Sequence, residues 1–214
     1  ALGARSLGLR HVVLTSVTRD DLADGGASHF AATVRAVRAA LPGAGIEVLV
    51  PDFGGRSDDV DAVLGARPDV FGHNVEPVAR LYPSARPKAE FGRSLEVLRR
   101  ASRSGLARHV KSALMLGLGE TRAEIESALD DLRDAGATIV CLGQYLRPSA
   151  RHLQVARFVP PEEFAEIGAA ARARGFAWVS AGPFVRSSYE ADRAAAAPSP
   201  CGAAGAAPRD KEAQ

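Results

Sequence analysis

The 214 residues are 46% hydrophobic and carry a formal charge of +2 at pH 7, from 27 basic and 25 acidic side chains. That apolar content suffices for one well-cored domain, and the interspersed charges give a nucleic-acid partner no electrostatic support. No apolar run approaches the length of a membrane span, and the first residues lack the basic-then-apolar pattern of a secretory signal.

In chain order, residues 1–10 read as the end of a helix, with Leu2 and Leu7 or Leu9 on one side. His11 to Val17 is a β-branched run and predicts a buried strand. After a polar, turn-rich stretch, Phe30, Val34, Val37 and Leu41 recur at helical spacing. Ile46 to Asp52 predicts a second strand, followed by the turn Phe53-Gly54-Gly55 and a short helix through Val60, Val63 and Leu64. Val70 to Glu76 is a third strand, and Leu95 and Leu98 lie on a helix from about Glu90 to Ser104, ended by Gly105. Val110 to Leu118 is the fourth strand. Thr121-Arg122-Ala123-Glu124 has the form of a capping box, opening a helix that closes near Gly136. Thr138 to Leu146 is the fifth strand, Pro161 to Gly175 a helix, and Phe176 to Val179 a short final strand. The Ala/Pro/Gly-rich segment 191–214 has no apolar period and is expected to be disordered.

Strands that alternate with helices and are almost continuously apolar imply a parallel sheet covered by helices. The pattern fits an incomplete barrel better than a flat doubly wound sheet, and no Gly-rich phosphate loop follows the first strand. The active face of such a barrel lies at the carboxyl ends of its strands. There the sequence places Thr15, Ser16, Arg19, Asp20 and Asp21, then Pro51, Asp52 and Arg56, then His73, Asn74 and Glu76. Gly117, Gly119, Glu120, Gln144, Tyr145 and Arg147 complete the face. A plainer reading exists for several of these. Asp20, Asp21 and Asp24 suit caps of the helix after Gly26, Glu120 suits a residue before a helix start, and His73 suits a satisfied strand-end histidine. Glu47, inside an apolar strand, is expected to face a polar barrel interior. Cys141 reads as a small buried hydrophobe, and Cys201 lies in the tail; the two fit neither a disulfide framework nor a zinc motif.

Near the end, Gly182-Pro183 forces a turn, Phe184 and Val185 are expected to anchor it, and Arg186, two serines and Tyr189 follow. The cluster is either a C-terminal tether held by side-chain hydrogen bonds or a plug that carries chemistry over a pocket built upstream.

Six strings decide the matter further: V-L-T-S-V-T-R-D-D-L-A-D-G-G-A, V-L-V-P-D-F, F-G-H-N-V-E, L-M-L-G-L-G-E-T, L-G-Q-Y-L-R-P-S and G-P-F-V-R-S-S-Y. In this order they resemble the lipoyl synthases, radical S-adenosylmethionine (SAM) enzymes, over almost all of residues 1–190. The resemblance implies a partial (β/α)6 TIM-like barrel, here without its first strand, spanning residues 1–190. It also implies two [4Fe–4S] clusters and SAM, with sulfur inserted at C6 and C8 of a protein-bound octanoyl chain. Partners so implied are an octanoylated lipoyl carrier domain or glycine cleavage H protein and a flavodoxin or ferredoxin electron donor, in the cytoplasm. Residue by residue, Ser188 matches the serine ligand of the auxiliary cluster, with Ser187 beside it and Arg186 supporting the loop. Thr15, Ser16, Asn74, Glu76, Gly117 and Gln144 match positions around SAM, although Ala113 stands where related glycine motifs often have Gly.

The sequence departs from the family in one respect. The C-x-x-x-C-x-x-C motif of the SAM cluster and the C-x-x-x-x-C-x-x-x-x-x-C motif of the auxiliary cluster are both absent. The expectation is an N-terminally truncated fragment, inactive alone, to which the clusters do not bind. The alternatives are a non-catalytic barrel that binds a lipoyl carrier domain, and a cluster-independent lyase forming a Schiff base at Lys111, whose place at a strand's start argues against that role.

Overall fold

The computed structural model describes residues 1–198. Six strands, β1 (His11–Thr15), β2 (Gly45–Leu49), β3 (Val70–Gly72), β4 (His109–Leu116), β5 (Ile139–Gln144) and β6 (Trp178–Gly182), form one sheet. All neighbours are parallel and their order in space is their order in sequence. A doubly wound sheet would reverse direction at a switch point; this one advances the same way at every step, as a barrel wall does. Among the described residues no pairing returns β6 to β1, so the barrel is partial.

The connections are α2 (Ala27–Ala40), α3 (Ser57–Leu64), α4 (Tyr82–Ala85), α5 (Phe91–Ser104), α6 (Arg122–Asp134) and α7 (Pro161–Ala173), with α1 (Leu2–Ser6) ahead of β1. Their starts follow local chemistry. Thr121 Oγ1 accepts from the Glu124 amide at 3.3 Å while the Glu124 carboxylate accepts from the Thr121 amide at 2.8 Å, the reciprocal capping the sequence predicts. Of the three acids before α2, Asp24 does the capping, accepting from the amides of Gly26 and Ser28 at 2.9 Å each. Asp21 instead pairs with Arg19.

The period of two in β4 sorts its residues between two environments. Val110, Leu114 and Leu116 pack with the helices in the main core, which includes Leu98, Ile125, Leu129 and Phe164. Lys111 and Ala113 face the barrel interior, where Ala113 meets Cys141 of β5 and Val185 beyond β6.

Three sequence expectations need correction. The third strand stops at Gly72, not Glu76, because the chain leaves β2 there and rejoins β4 through a single bridge from Glu76 to Leu114. Phe184 does not anchor its turn: it is 86% exposed, and Val185 alone is buried. Segment 191–214 is not patternless throughout, for residues Ala191–Ala195 form α8. Ala194 packs on Val70 and Ile139, Arg193 lies over the Trp178 ring, and the Ala197 carbonyl faces His109 Nε2 at 3.1 Å. Small alanines fit between the amino ends of the strands, a tertiary contact that no local period announces. Residues 199–214, including Cys201, lie outside the described residues.

Candidate functional site

At the carboxyl ends of the strands two hollows share a corner formed by Asn74 and Glu76. One, of about 270 Å³, is lined by Asn74 and Glu76 together with Cys141, Gln144, Arg186 and Ser187. The other, of about 130 Å³, adds Thr15, Ser16, His73 and Arg86. The structure thus gathers four of the residues expected around SAM, Thr15, Ser16, Asn74 and Glu76, in one hollow, and sets Gln144 in the adjoining one.

The corner is held by backbone. The Glu76 amide donates to Ala113 O at 3.0 Å and its carbonyl accepts from the Met115 amide at 2.7 Å, with Glu76 at φ +67. A positive φ in a non-glycine residue is strained and persists only where surrounding contacts fix it. Burial raises the Glu76 pKa, against the opposing pull of the Asn74 amide, Arg86 and Arg186. Asn74 Nδ2 donates to Glu76 Oε1 at 3.1 Å, while Asn74 Oδ1 is buried without a hydrogen-bond partner. Arg86 donates to the carbonyls of Asn74 and Val75 and lies over the Tyr82 ring. It is a site residue that sequence reasoning missed: it follows a four-residue helix and sits in no pattern.

Gln144 and Gly117 act as architecture. The Gln144 side chain accepts from the Val159 amide at 2.9 Å and donates to the carbonyls of Tyr145 and Arg157 at 2.9 and 3.2 Å, so its amide holds the loop that walls the larger hollow. Gly117 has φ +97, and a Cβ there would strike Gln144 Nε2 and the Arg157 carbonyl. Glu120 folds back on this turn, accepting from the amides of Gly117 and Leu118 at 2.6 and 2.9 Å.

Beneath the hollows, the interior is polar as expected from Glu47. Lys111 Nζ donates to both Glu47 oxygens, at 2.8 and 3.1 Å, and both residues are about 1% exposed. An amine held by both carboxylate oxygens is not presented as a free nucleophile, which weighs against the Schiff-base reading. Burial pushes the Cys141 thiol up to about 11, so it is an inert hydrophobe here.

The C-terminal stretch divides between hollows. The Val185 amide donates to Gly182 O at 3.1 Å, and the Val185 carbonyl lies where a side chain on Gly143 would be. Arg186 donates to that carbonyl at 2.7 Å and reaches the larger hollow beside Ser187. Ser188 is exposed and lines a separate hollow of about 350 Å³ with Arg10, His11, Glu190 and Asp192.

The donor set can be matched to the groups that the resemblance implies. The unpaired Asn74 oxygen, the Glu76 carboxyl, the hydroxyls of Thr15 and Ser16 and the guanidinium of Arg86 form a mixed set that fits a zwitterionic, hydroxyl-bearing molecule such as SAM. The described residues do not fit an iron–sulfur cluster: they hold no group of three or more His, Cys, Asp or Glu placed around one ion, and their single thiol is buried and protonated.

Residues 1–132 match the Radical SAM superfamily. The lipoyl synthase of Symbiobacterium thermophilum is 55% identical over 190 residues, covering 89% of this chain and 59% of the relative. Those of Rubrobacter xylanophilus and Caldanaerobacter subterraneus subsp. tengcongensis are 52% and 51% identical, with 58% and 67% of their lengths covered. The chain therefore spans about three fifths of the first two relatives' length. Among solved structures, HydG, a maturase of the [FeFe]-hydrogenase, superimposes with a TM-score of 0.64 at 12% identity, covering 91% of this chain and 53% of that one. Methylornithine synthase (PylB) gives 0.51 at 14% identity, covering 81% and 57%. These two likenesses speak for the fold. The chain belongs to the lipoyl synthase family of the radical SAM superfamily.

Proposed function

We propose that this chain carries the SAM-binding barrel of a lipoyl synthase, which inserts sulfur at C6 and C8 of a protein-bound octanoyl chain. The observation that carries this reading is the corner at Asn74 and Glu76, where a buried, unpaired acceptor and a strained carboxylate residue meet two hollows. Its setting is a chain 55% identical to a lipoyl synthase. SAM, when bound, supplies the hydrogen-abstracting 5′-deoxyadenosyl group. The chain's own residues bind and orient it. Asn74 and Glu76 hold its polar end with Thr15 and Ser16, Arg86 fixes the backbone of the corner, and the Gly117 turn and Gln144 keep the wall of the larger hollow in place.

The octanoyl chain would enter along the apolar side of that hollow, formed by Met115, Leu146 and Val185. Its carrier would be an octanoylated lipoyl domain or the glycine cleavage H protein, with a flavodoxin or ferredoxin as electron donor. The thiolates of both clusters would have to come from outside the described residues, so this chain is proposed to be inactive alone. The test has two arms. Calorimetric titration of the purified chain with SAM should show one site. Fused to the portion of the Symbiobacterium enzyme that it does not match, the chain should convert an octanoylated H protein to the lipoylated form, read by mass. A chain that bound the octanoylated carrier but not SAM would overturn the reading in favour of a non-catalytic carrier-binding module.

A further inference from the structure

Lys111 and Glu47 are both about 1% exposed, and a third titratable side chain stands between them and the outside. His11, which opens β1, turns one ring nitrogen toward the pair. Its Nε2 is buried, lies 3.8 Å from Glu47 Oε2 and has no hydrogen-bond partner. The same side chain keeps 10% of its surface exposed and borders the hollow of about 350 Å³, beside Arg10 and Asp192. His11 is thus the wall between that hollow and a buried carboxylate. Gly45, its register partner on β2, makes the placement possible, since a Cβ there would lie 2.6 Å from His11 Nδ1. As mere filling, an apolar ring would serve better, because a buried nitrogen without a partner forfeits its hydration. An imidazole does what a phenyl ring cannot: it takes a proton at one nitrogen and gives one up at the other.

We propose that His11 is the proton relay between the hollow at the start of β1 and the buried Glu47–Lys111 pair. The step balances with water as the only co-reactant. Lys111 passes an ammonium proton to the Glu47 carboxylate, leaving a neutral amine and a neutral acid. The acid proton then moves to His11 Nε2, the O–H bond breaking as the N–H bond forms, and water in the hollow takes the proton from Nδ1. The reverse sequence returns a proton to Lys111 and restores the charges of the pair. A 3.8 Å gap is too long for direct transfer, so the ring must turn toward Glu47, and glycine at position 45 leaves it room. The inference is independent of the ligand taken by the hollows above. Lys111 and Glu47 both act on the Cys141 thiol, which lines the larger hollow, so a proton brought in through His11 arrives beneath the floor of that hollow.

The chain has three lysines, Lys88, Lys111 and Lys211. Nitrogen NMR of the lysine-labelled full chain therefore resolves their ammonium groups, with Lys88→Arg and Lys211→Arg assigning the signals. In wild type, Lys111 should exchange its ammonium protons with water more slowly than the exposed Lys88. His11→Phe keeps a ring and removes both nitrogens; it should slow Lys111 exchange further, by about tenfold or more, and leave Lys88 unchanged. His11→Gln, polar but unable to relay, should slow it as well. An unchanged Lys111 rate in either variant overturns the proposal. So does wild-type Lys111 exchanging as fast as Lys88, which would mean that water reaches the pair directly. Should neither variant fold, nitrogen NMR of histidine-labelled wild type decides. The His11 ring should populate both tautomers and exchange its N–H with water, and a single locked tautomer with a slowly exchanging N–H overturns the proposal.

Discussion

Lys111 on β4 and Glu47 on β2, 64 positions apart, meet across the barrel interior over β3, with Lys111 Nζ donating to the Glu47 carboxylate at 2.8 Å. His11 adds a third polar group, its Nε2 3.8 Å from Glu47 and without a hydrogen bond. The pair is fully buried, so its mutual attraction only offsets a large desolvation cost, and breaking it strands an uncompensated charge.

The first prediction follows from that asymmetry. Lys111→Met and Glu47→Gln should each lower stability by about 3–5 kcal/mol, whereas Lys111→Met combined with Glu47→Leu should regain most of the loss. Urea denaturation of the three variants measures this. Equal losses in single and double variants would mean that the pair contributes through its packing and not its charge.

How much of this was legible in the sequence depends on range. The capping box at Thr121 and Glu124, the glycine stops at Gly105 and Gly136 and the six strands are local, and a single pass along the chain finds them. Glu47 could be assigned to a polar interior because a carboxylate in an apolar strand has few other places to go. Its partner could not be, since nothing near Lys111 in sequence points to a residue 64 positions away. The same limit explains α8, which is helical through contacts with Val70 and Ile139, and Arg86, which reaches the site only because the chain folds back after α4. Phe184 and Val185 were indistinguishable as anchors in a string; the turn gives the interior to one of them.

His73 makes stability depend on pH in a definite direction. Its pKa is about 4 folded, against 6.5 ordinarily, because burial disfavours the cation. Below pH 6.5 the unfolded chain takes up a proton that the folded chain refuses. The contribution is therefore fully present above 6.5, falls as pH drops, and levels off below about 4, where the folded form protonates too. The gap corresponds to roughly 3 kcal/mol. Urea midpoints between pH 7 and pH 4.5 should fall less steeply in His73→Asn than in wild type; parallel slopes would exclude His73 as the source.

Gly117→Ala tests the wall of the larger hollow. The backbone at φ +97 disfavours any side chain, and the new methyl would collide with Gln144 and the Arg157 carbonyl. The loss should be about 1–3 kcal/mol, with faster proteolysis in residues 145–159, which the Gln144 amide holds. Gly3→Ala is the control, because Gly3 lies in α1 with nothing within 4 Å of an added Cβ. Comparable losses at both positions would show that the Gly117 turn has no special role.

The last prediction concerns Ser188, which the resemblance to lipoyl synthases marks as an oxygen ligand of the auxiliary cluster. In this chain Ser188 is exposed, on a hollow shared with Arg10 and His11, while Val185 anchors the loop three residues earlier. Ser188→Ala should leave the melting temperature of the chain unchanged, because neither the anchor nor the Arg186 bond to the Val185 carbonyl is touched. In the fusion with the Symbiobacterium portion, the same change should cut lipoyl formation by an order of magnitude or more, on the order of 10²-fold being usual for loss of a metal ligand's support. SAM cleavage should persist, since the residues at the Asn74 corner are untouched. Ser187→Ala, one position away but on the larger hollow, separates the two serines. If Ser187→Ala abolished lipoyl formation and Ser188→Ala did not, the ligand assignment would belong to Ser187. If neither affected it, the R-S-S-Y stretch would be a tether, held by Val185 alone.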